Sequence, residues 1–449
     1  MKIKMGLAIL ALQISAYAAP AVEQSEQLEL SFHQAEGEAF KSSNRLKASS
    51  SDYEAAVEQA DAGYAGFFPK LSLQGNYQYL GTVPSLSLGA GPAVQLTTHS
   101  SYSIGPVLSY TFWDSFASRK SRDSLAKVAE ARRQDRRSTE LQLLLAVRAT
   151  YIRVQLALEE LRLVNGSLEL ARAQDHDIGS RFHAGAATKL DVVTSNRQVL
   201  SFELQFKQKQ ADLSAGLKDL LALLGTAAPK DVSHPGPPNV DQVSLILKLD
   251  SLPATLAALG SDQALPPDDG QPQLRSQALL AESAALSASS QTAHLFPTLQ
   301  ASASTALAYP NGPIPQQIHQ NIVSVSLSMP LYLGDPTWHL AAEKRKEADA
   351  ARYREEQLRI DIQRDFAKAR EMLDSLREQR KLATQDVSQS KEAAKLYYSS
   401  YKAGKNNLID VQTANNQALQ SLVGAARIDA QILTQLITLK ALSGKDIAP

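Results

Sequence analysis

Two periods of hydrophobic and polar residues take turns along the chain. In Leu71-Ser72-Leu73-Gln74-Gly75-Asn76-Tyr77-Gln78-Tyr79 the large apolar residues fall on odd positions and the polar ones on even positions. That is the signature of a strand with one oily and one wet face. Alternation returns in Tyr102, Ile104, Leu108, Tyr110 and Phe112 against Ser103, Ser109 and Thr111, then in Leu299 to Ser304, and again in Val323 to Met329. Pro106 and Val107 interrupt the second of these, which predicts a bulge there. Elsewhere the period lengthens. Leu144, Val147, Tyr151, Val154, Leu158 and Leu161 recur at spacings of three and four, as do Ile362, Phe366, Ala369, Leu373 and Leu376. Each set is a coiled-coil seam, narrower than the apolar stripe of a globular helix. The first seam lies in a helix expected from about Ser115 to Ser180, the second in one from about Asp335 to Ser400. Roughly 65 residues at about 1.5 Å each make a rod of about 100 Å, longer than a compact core requires.

The programme runs twice. A helical pattern from Leu30 to Phe67 is stopped by Phe68-Pro69, and one opening at Leu274-Arg275 is stopped by Phe296-Pro297, because proline lacks the amide proton a helix interior needs. Phe182 to Leu200, FHAGAATKLDVVTSNRQVL, is written again as Tyr401 to Leu419, YKAGKNNLIDVQTANNQAL. Ala184, Gly185, Asp191, Val192, Thr194 and Asn196 coincide with Ala403, Gly404, Asp410, Val411, Thr413 and Asn415. Glycine suits a helix end in the left-handed conformation, and Thr188 or Asn406/Asn407 can cap the next helix. Two helical hairpins with closed tips are predicted, at about 181–188 and 400–407. The expected organisation is a segment 1–18, a first repeat 19–226 with strands about 71–80 and 101–113, a connector 227–272, and a second repeat 273–449 with strands about 299–309 and 322–332. The connector is proline-rich, with a short strand near Val243 to Leu249 and a short helix near Ala254 to Leu259.

Composition narrows the function classes. Lys and Arg balance Asp and Glu at 46 each, so no basic field argues for nucleic acid. Cysteine is absent, which removes disulfides, thiolate metal sites and an N-terminal lipid attachment point together. Lys2 and Lys4, the apolar run Met5 to Ile14 and Ala16-Tyr17-Ala18 read as a signal peptide cleaved after Ala18. No later stretch reads as a spanning helix, since Leu141 to Val164 carries Arg148, Arg153, Glu159, Glu160 and Arg162. His176 and His183, seven apart beside Asp175 and Asp177, read as solvated tip residues rather than metal ligands, which on a helix are usually three or four apart. Arg132, Arg133, Arg136 and Arg137 read as a charged outer face. There is no phosphate loop, nucleophile elbow or zinc-helix motif. No cofactor and no enzymatic activity are expected.

Four alternating strands in an exported chain fit a membrane β-barrel. Tyr77, Tyr79 and Tyr309 lie toward one strand end and Trp113 and Tyr332 toward the other, where aromatic girdles belong. A soluble sheet with its oily face packed on helices is the competing reading. Four strands cannot close, and open edges in lipid leave unpaired amides that cost several kcal/mol each. The chain is therefore expected to share one barrel with copies of itself.

The two tips, the two Phe-Pro junctions and the repeated order helix, strand, strand, helix resemble the TolC-type outer-membrane efflux proteins over nearly the whole chain after residue 18. The resemblance implies a mixed α and β membrane protein: a homotrimer with a shared 12-stranded β-barrel continued by a long periplasmic α-helical barrel. It implies a passive exit duct in the outer-membrane lipid, docked on a periplasmic adaptor and an inner-membrane pump of an efflux or type I secretion system. A periplasmic coiled-coil adaptor or a structural protein without a channel is the alternative function. By the same resemblance Asp410 takes the place of a pore-ring acid, and Tyr401 that of a tyrosine bonding to the position of Asp191 to latch the tip. The sequence departs from the family at Thr413, where a second ring acid is expected, and at Asn406, where a basic latch residue is expected. Many relatives carry a lipidated cysteine that this chain lacks. Ala184, Gly185, Ala403 and Gly404 are the implied adaptor-contacting tips, and Thr188-Lys189 against Asn407-Leu408 is the expected site of adaptor preference.

Overall fold

A computed structural model describes residues 31–86, 94–225, 249–260, 265–331 and 336–444. The expected signal segment, Tyr332 and all but the last residue of the strand near Val243 to Leu249 lie outside them.

Helix α1 (Phe32–Ser42) and helix α2 (Asn44–Ala62) form where one helix to Phe67 is predicted. Ser43 causes the break: it is extended (ψ 112°), and its hydroxyl accepts the Leu46 amide at 3.3 Å, capping α2. A 3₁₀ turn, Gly63–Phe67, then delivers the chain to strand β1 (Lys70–Tyr79). Strand β2 (Ser100–Trp113) follows, and a short ribbon, Ser85–Leu86 with Val94–Gln95, lies between them. Helices α3 (Ala117–His183) and α4 (Lys189–Leu223) make the first long hairpin. After helix α5 (Leu252–Gly260) come helix α6 (Pro272–Ala293), strands β3 (Thr298–Tyr309) and β4 (Ile318–Ser328), and the second hairpin, α7 (Thr337–Lys402) and α8 (Leu408–Ser443). Strand β4 starts at Ile318, ahead of the oily alternation, because Ile318 to Asn321 pair with Ala308 to Thr305 whatever their polarity. It ends at Ser328 rather than near 332, two residues before Pro330.

The four strands form one antiparallel sheet in the order β1-β2-β3-β4, so β2 and β3 join the two repeats. Register stacks Leu71, Leu108, Ala303 and Val323 in one row, and Tyr77, Tyr102 and Tyr309 in another. Tyr102 stacks on Tyr309 at 5.4 Å between ring centroids. One face is therefore oily over most of its extent, apart from residues such as Ser100, Thr305, His319 and Asn321 toward one strand end, while the other carries mainly hydroxyl and amide side chains, with Lys70 the sole Lys, Arg, Asp or Glu of the four strands. No helix among the described residues covers the oily face, since Leu71 and Leu73 are each 73% exposed and Val323 is 81% exposed. That removes the soluble reading, in which helices pack there. The bulge is also displaced. Register passes Gly105 and Pro106 unchanged, from Ile104↔Leu307 to Val107↔Ser304, and shifts between Thr111 and Trp113. Gly105 absorbs the local disturbance by letting β3 approach closely. A Cβ there would overlap the Thr305 carbonyl oxygen and sit 2.6 Å from Ala306 Cα.

Both seams lie in the interior of the helical stack. Leu144, Val147, Tyr151, Val154, Leu158 and Leu161 are all buried, as are Ile362, Phe366, Ala369, Leu373 and Leu376. By length and composition α3 does contain an 18-residue window apolar enough to cross a membrane, at mean hydropathy 1.3, contrary to the sequence reading; 56% of that window is buried by the protein itself. Such burial is what a core helix shows, and the seam accounts for it.

Buried charges tie the hairpins together. Arg148 of α3 holds Glu36 of α1 at 2.5 Å, both nearly inaccessible, and Phe32 packs edge-on against Tyr151 at 5.4 Å. Farther along α3, the Glu160 carboxylate is 7% exposed and meets Lys209 of α4 and Arg427 of α8, each at 2.7 Å. Burial works to raise the Glu160 pKa, but the two cations outweigh it and hold the carboxyl below its ordinary range. A depressed pKa means stability that is present above the unfolded value near 4.5 and lost as pH falls through the folded one. Glu160→Leu is expected to cost about 2 kcal/mol; this is below the usual figure for breaking a buried pair, because Arg427 is 55% exposed. Thermal unfolding of the detergent-purified protein at pH 7 should show that deficit, and it should shrink below about pH 4 as the wild type loses the same charge.

Candidate functional site

At the far end of the helices from the sheet, both tips close in the same way. Gly185 at φ +74° and Gly404 at φ +70° follow the cap residues Ala184 and Ala403. Ala186 N donates to Arg181 O at 2.7 Å and Gly185 N to Phe182 O at 3.0 Å. Lys405 N to Ser400 O and Gly404 N to Tyr401 O, each 2.9 Å, repeat this 6→1 and 5→2 pattern in the second copy. Any residue with a Cβ would be strained at either glycine.

The two copies differ in what their acids do. Thr188 and Asp191 form a reciprocal capping box: the Asp191 amide donates to Thr188 Oγ1 at 3.1 Å, and Asp191 Oδ2 accepts the Thr188 amide at 2.9 Å and its hydroxyl at 2.7 Å. Asn407 caps α8 by accepting the Asp410 amide at 2.9 Å. The half-buried Asp410 carboxylate makes no hydrogen bond or ion pair among the described residues. Thr413 is exposed, and its hydroxyl is turned back onto Ile409 O at 2.9 Å. Asn406 is half-buried.

Tyr401 packs with Ile178, Leu408, Val411, Val192 and Tyr398 in a small apolar cluster. Its hydroxyl makes no hydrogen bond among the described residues, and the Arg181 guanidinium lies 6.0 Å from its ring centroid. Burial first, and then the neighbouring Asp191 charge, raise its pKa. The structure thus brings Tyr401 near Asp191 without a bond between them, because Asp191 is taken up by its own helix cap.

One turn back, a bond is made that sequence reasoning missed. Tyr398 of α7 donates to Asp177 Oδ2 of α3 at 2.9 Å. Arg181 at 3.3 Å and Lys402 at 3.7 Å approach the same carboxylate oxygen, and Lys402 also lies 4.6 Å over the Tyr398 ring. Burial tends to raise the Asp177 pKa, but Tyr398, Lys402 and Arg181 together hold it below the ordinary carboxylate range. Burial and the Asp177 charge push the Tyr398 phenol up to about 12. Further bonds cross between the hairpins: Asn415 to Gln174 at 3.0 Å, Gln412 to the Thr194 carbonyl at 3.0 Å and Gln198 to Asn416 at 2.9 Å. The spacing of Tyr398 and Tyr401, three apart, was the available signal, since residues three apart share a helix face. Asp175 accepts the Ser195 hydroxyl, so both acids beside His176 are engaged in hydrogen bonds to neighbouring helices.

Solved structures share this fold. A membrane protein from Pseudomonas aeruginosa superposes with TM-score 0.74 at 20% identity, over 96% of this chain and 99% of that one. The outer membrane protein VceC of Vibrio cholerae gives 0.74 at 15% identity, over 92% and 96%. The Campylobacter jejuni CmeC outer membrane channel gives 0.74 at 15% identity, over 97% and 94%. At such identities the likeness establishes the fold. No curated protein sequence matches the chain. A sequence model described as "Outer membrane efflux protein" matches residues 37–226 and 269–445, which take in both long hairpins and all four strands of the sheet. With both repeats matched, the chain belongs to the outer membrane efflux protein family.

Proposed function

We propose that three copies of this chain close a shared twelve-stranded barrel in the outer membrane, that their helices continue it as a tube into the periplasm, and that the tube ends in a gate formed by the tips. The observation that carries this reading is the open four-stranded sheet, whose oily face has no helix over it and whose outer strands, β1 and β4, each keep one unpaired edge. Lipid tolerates neither unpaired edge, and pairing β1 of one copy with β4 of the next satisfies both. The duct moves solutes passively for an inner-membrane pump reached through a periplasmic adaptor that contacts Ala184, Gly185, Ala403 and Gly404. Thr188-Lys189 and Asn407-Leu408, where the tips diverge, set adaptor preference. Outer-membrane fractionation and an oligomer band that shifts on heating test the assembly. A monomer in the soluble periplasmic fraction would instead indicate the adaptor reading.

At the gate, Asp410 supplies a carboxylate ring to the pore. Support comes from its half-buried carboxylate, which has no partner among the described residues, in contrast to Asp191, which is consumed by its cap. A single acid ring attracts cations and resists anions. Asp410→Ala is expected to keep or raise single-channel conductance in planar bilayers and to weaken block by divalent cations several-fold; unchanged block would remove Asp410 from the pore. Thr413 lines the next turn as a neutral group. Asn406 cannot supply the charge-assisted bond a basic residue would. The latch between hairpins is assigned to Tyr398 and Asp177, with Tyr401 packing beside them.

A further inference from the structure

We propose that a groove at the foot of the sheet binds the phosphate headgroup of an anionic phospholipid. The cavity, of about 690 Å³, lies across α3, α6 and α7, with Lys120, Ala288, Thr292, Phe296, Arg345 and Asp349 in its lining. Small residues of α6, which packs on both α3 and α7, line it between Lys120 of α3 and Arg345 of α7. Lys120 and Arg345 make no ion pair among the described residues, whereas Lys127, two turns further along α3, is taken up by Glu282 at 2.9 Å, and Lys344, next to Arg345, by Glu347 at 2.6 Å. Arg345 is oriented by Thr292, whose hydroxyl accepts from Nη2 at 3.3 Å, leaving its other N–H groups available. The one acid of the lining, Asp349, is shared by Lys346 at 3.5 Å and Arg352 at 3.7 Å, so the groove keeps a net positive charge.

Position identifies the anion. Phe296 lies two residues before β3, and Lys120 lies at the start of α3, seven residues after β2. Both tryptophans of the chain stand at strand-to-helix junctions at this end of the sheet, Trp113 at the end of β2 and Trp338 in the first turn of α7, 49% and 45% exposed, with Phe116 5.7 Å from Trp113 and 55% exposed. Exposed tryptophans at one level mark a headgroup layer, and an arginine fork beside a lysine matches a phosphate. The inference rests on the outer-membrane reading above, in which this junction faces the periplasmic leaflet.

The test titrates the full-length, detergent-purified protein with dioctanoyl phosphatidylglycerol, dioctanoyl phosphatidylcholine and glycerol 3-phosphate, followed by native mass spectrometry. The wild type is expected to bind the phosphatidylglycerol at least tenfold more tightly than the phosphatidylcholine. Lys120→Gln with Arg345→Gln should weaken that binding about thirtyfold, the order set by two lost cation contacts, and Lys120→Arg should retain it. Equal binding of the two lipids by the wild type overturns the proposal without any variant, as does phosphatidylglycerol binding unchanged in the double variant. Glycerol 3-phosphate binding as tightly as the lipid, with the same sensitivity, would assign the groove to a soluble phosphate and overturn the lipid. Because the chain has no cysteine, Ser289→Cys reports access: a thiol shielded in the intact oligomer without lipid means that a second copy fills the groove, which also overturns it. Heated and unheated gel lanes of the same sample report the oligomer. A preparation that forms it yet shows no lipid preference defeats this proposal alone.

Discussion

Cells making Gly105→Val are expected to show almost no heat-modifiable oligomer and a few per cent of the wild-type protein in the outer membrane, whereas Gly75→Ala leaves both unchanged. The two glycines face different neighbours. A Cβ at Gly75 would meet Ile104 side-chain carbons at 3.8 Å, an ordinary contact, while one at Gly105 would run into the Thr305 and Ala306 backbone. Backbone cannot rotate away as a side chain does, so β3 would have to withdraw from β2 over several residues. Those strands join the two repeats, and Pro106 beside the glycine already brings no amide proton to the ladder. Each amide left unpaired in lipid costs several kcal/mol, so two or three together exceed the margin by which most folded proteins survive. An unaffected oligomer in Gly105→Val would mean that β2 and β3 do not pair in this register in the membrane.

At the opposite end, Asp177→Ala is expected to raise leakage of a large antibiotic through the duct at least tenfold, Tyr398→Phe about fivefold, and Tyr401→Phe not at all. The order follows from the bonds each change removes. Tyr398→Phe deletes one hydrogen bond to a partly exposed carboxylate, worth about 1 kcal/mol. That is about a fivefold change in a closed-to-open ratio. Asp177→Ala removes the common partner of Tyr398, Arg181 and Lys402 and leaves two cations facing one another. The Tyr401 hydroxyl makes no bond among the described residues, so its loss leaves the packing of the ring in place. Because the folded Asp177 pKa is lowered from 3.8, the Tyr398 to Asp177 bond keeps its charged acceptor at and above that pH, and the leak of the wild type is expected to rise only as pH falls through the lower, folded value. Leak from Tyr401→Phe with a tight Tyr398→Phe would transfer the latch to Asp191. Single-channel recordings of the closed state give the same comparison without cells.

Long periodic features were legible before any coordinates. The seams through Tyr151 and Phe366 announce their helices because burying one narrow stripe every three or four residues leaves a repetitive trace. The strands announce themselves through alternation, and the Gly-centred tips through duplication. What remained hidden depends on contacts between residues far apart in the chain. Local chemistry places the bulge at Pro106, yet β3 decides where register slips, and it does so after Thr111. Ser43 breaks a helix that its composition alone does not break, by offering its own hydroxyl to the next turn. The Tyr398 to Asp177 bond joins residues 221 apart. No spacing rule pairs them, whereas Tyr401 and Asp191 belong to a repeat that draws the eye. In the sequence Glu160 is only a charge that spoils an apolar run; its two cationic partners make it a structural centre.

That centre has a mechanical meaning. Glu160 pins α3 to α4 and α8 and lies 23 residues from the end of the helix at His183, an arm of about 35 Å at 1.5 Å per residue. With a fulcrum there, a rotation of about 10° swings the tip through about 6 Å while the helices above stand still. Asp177 sits six residues from the end of that arm, at about three quarters of its length, where a weak bond exerts the torque of a much stronger one placed near the pivot. On the proposed function, a partner pushing on the tip would therefore need little force to open the tube, and opening it would leave the barrel undisturbed.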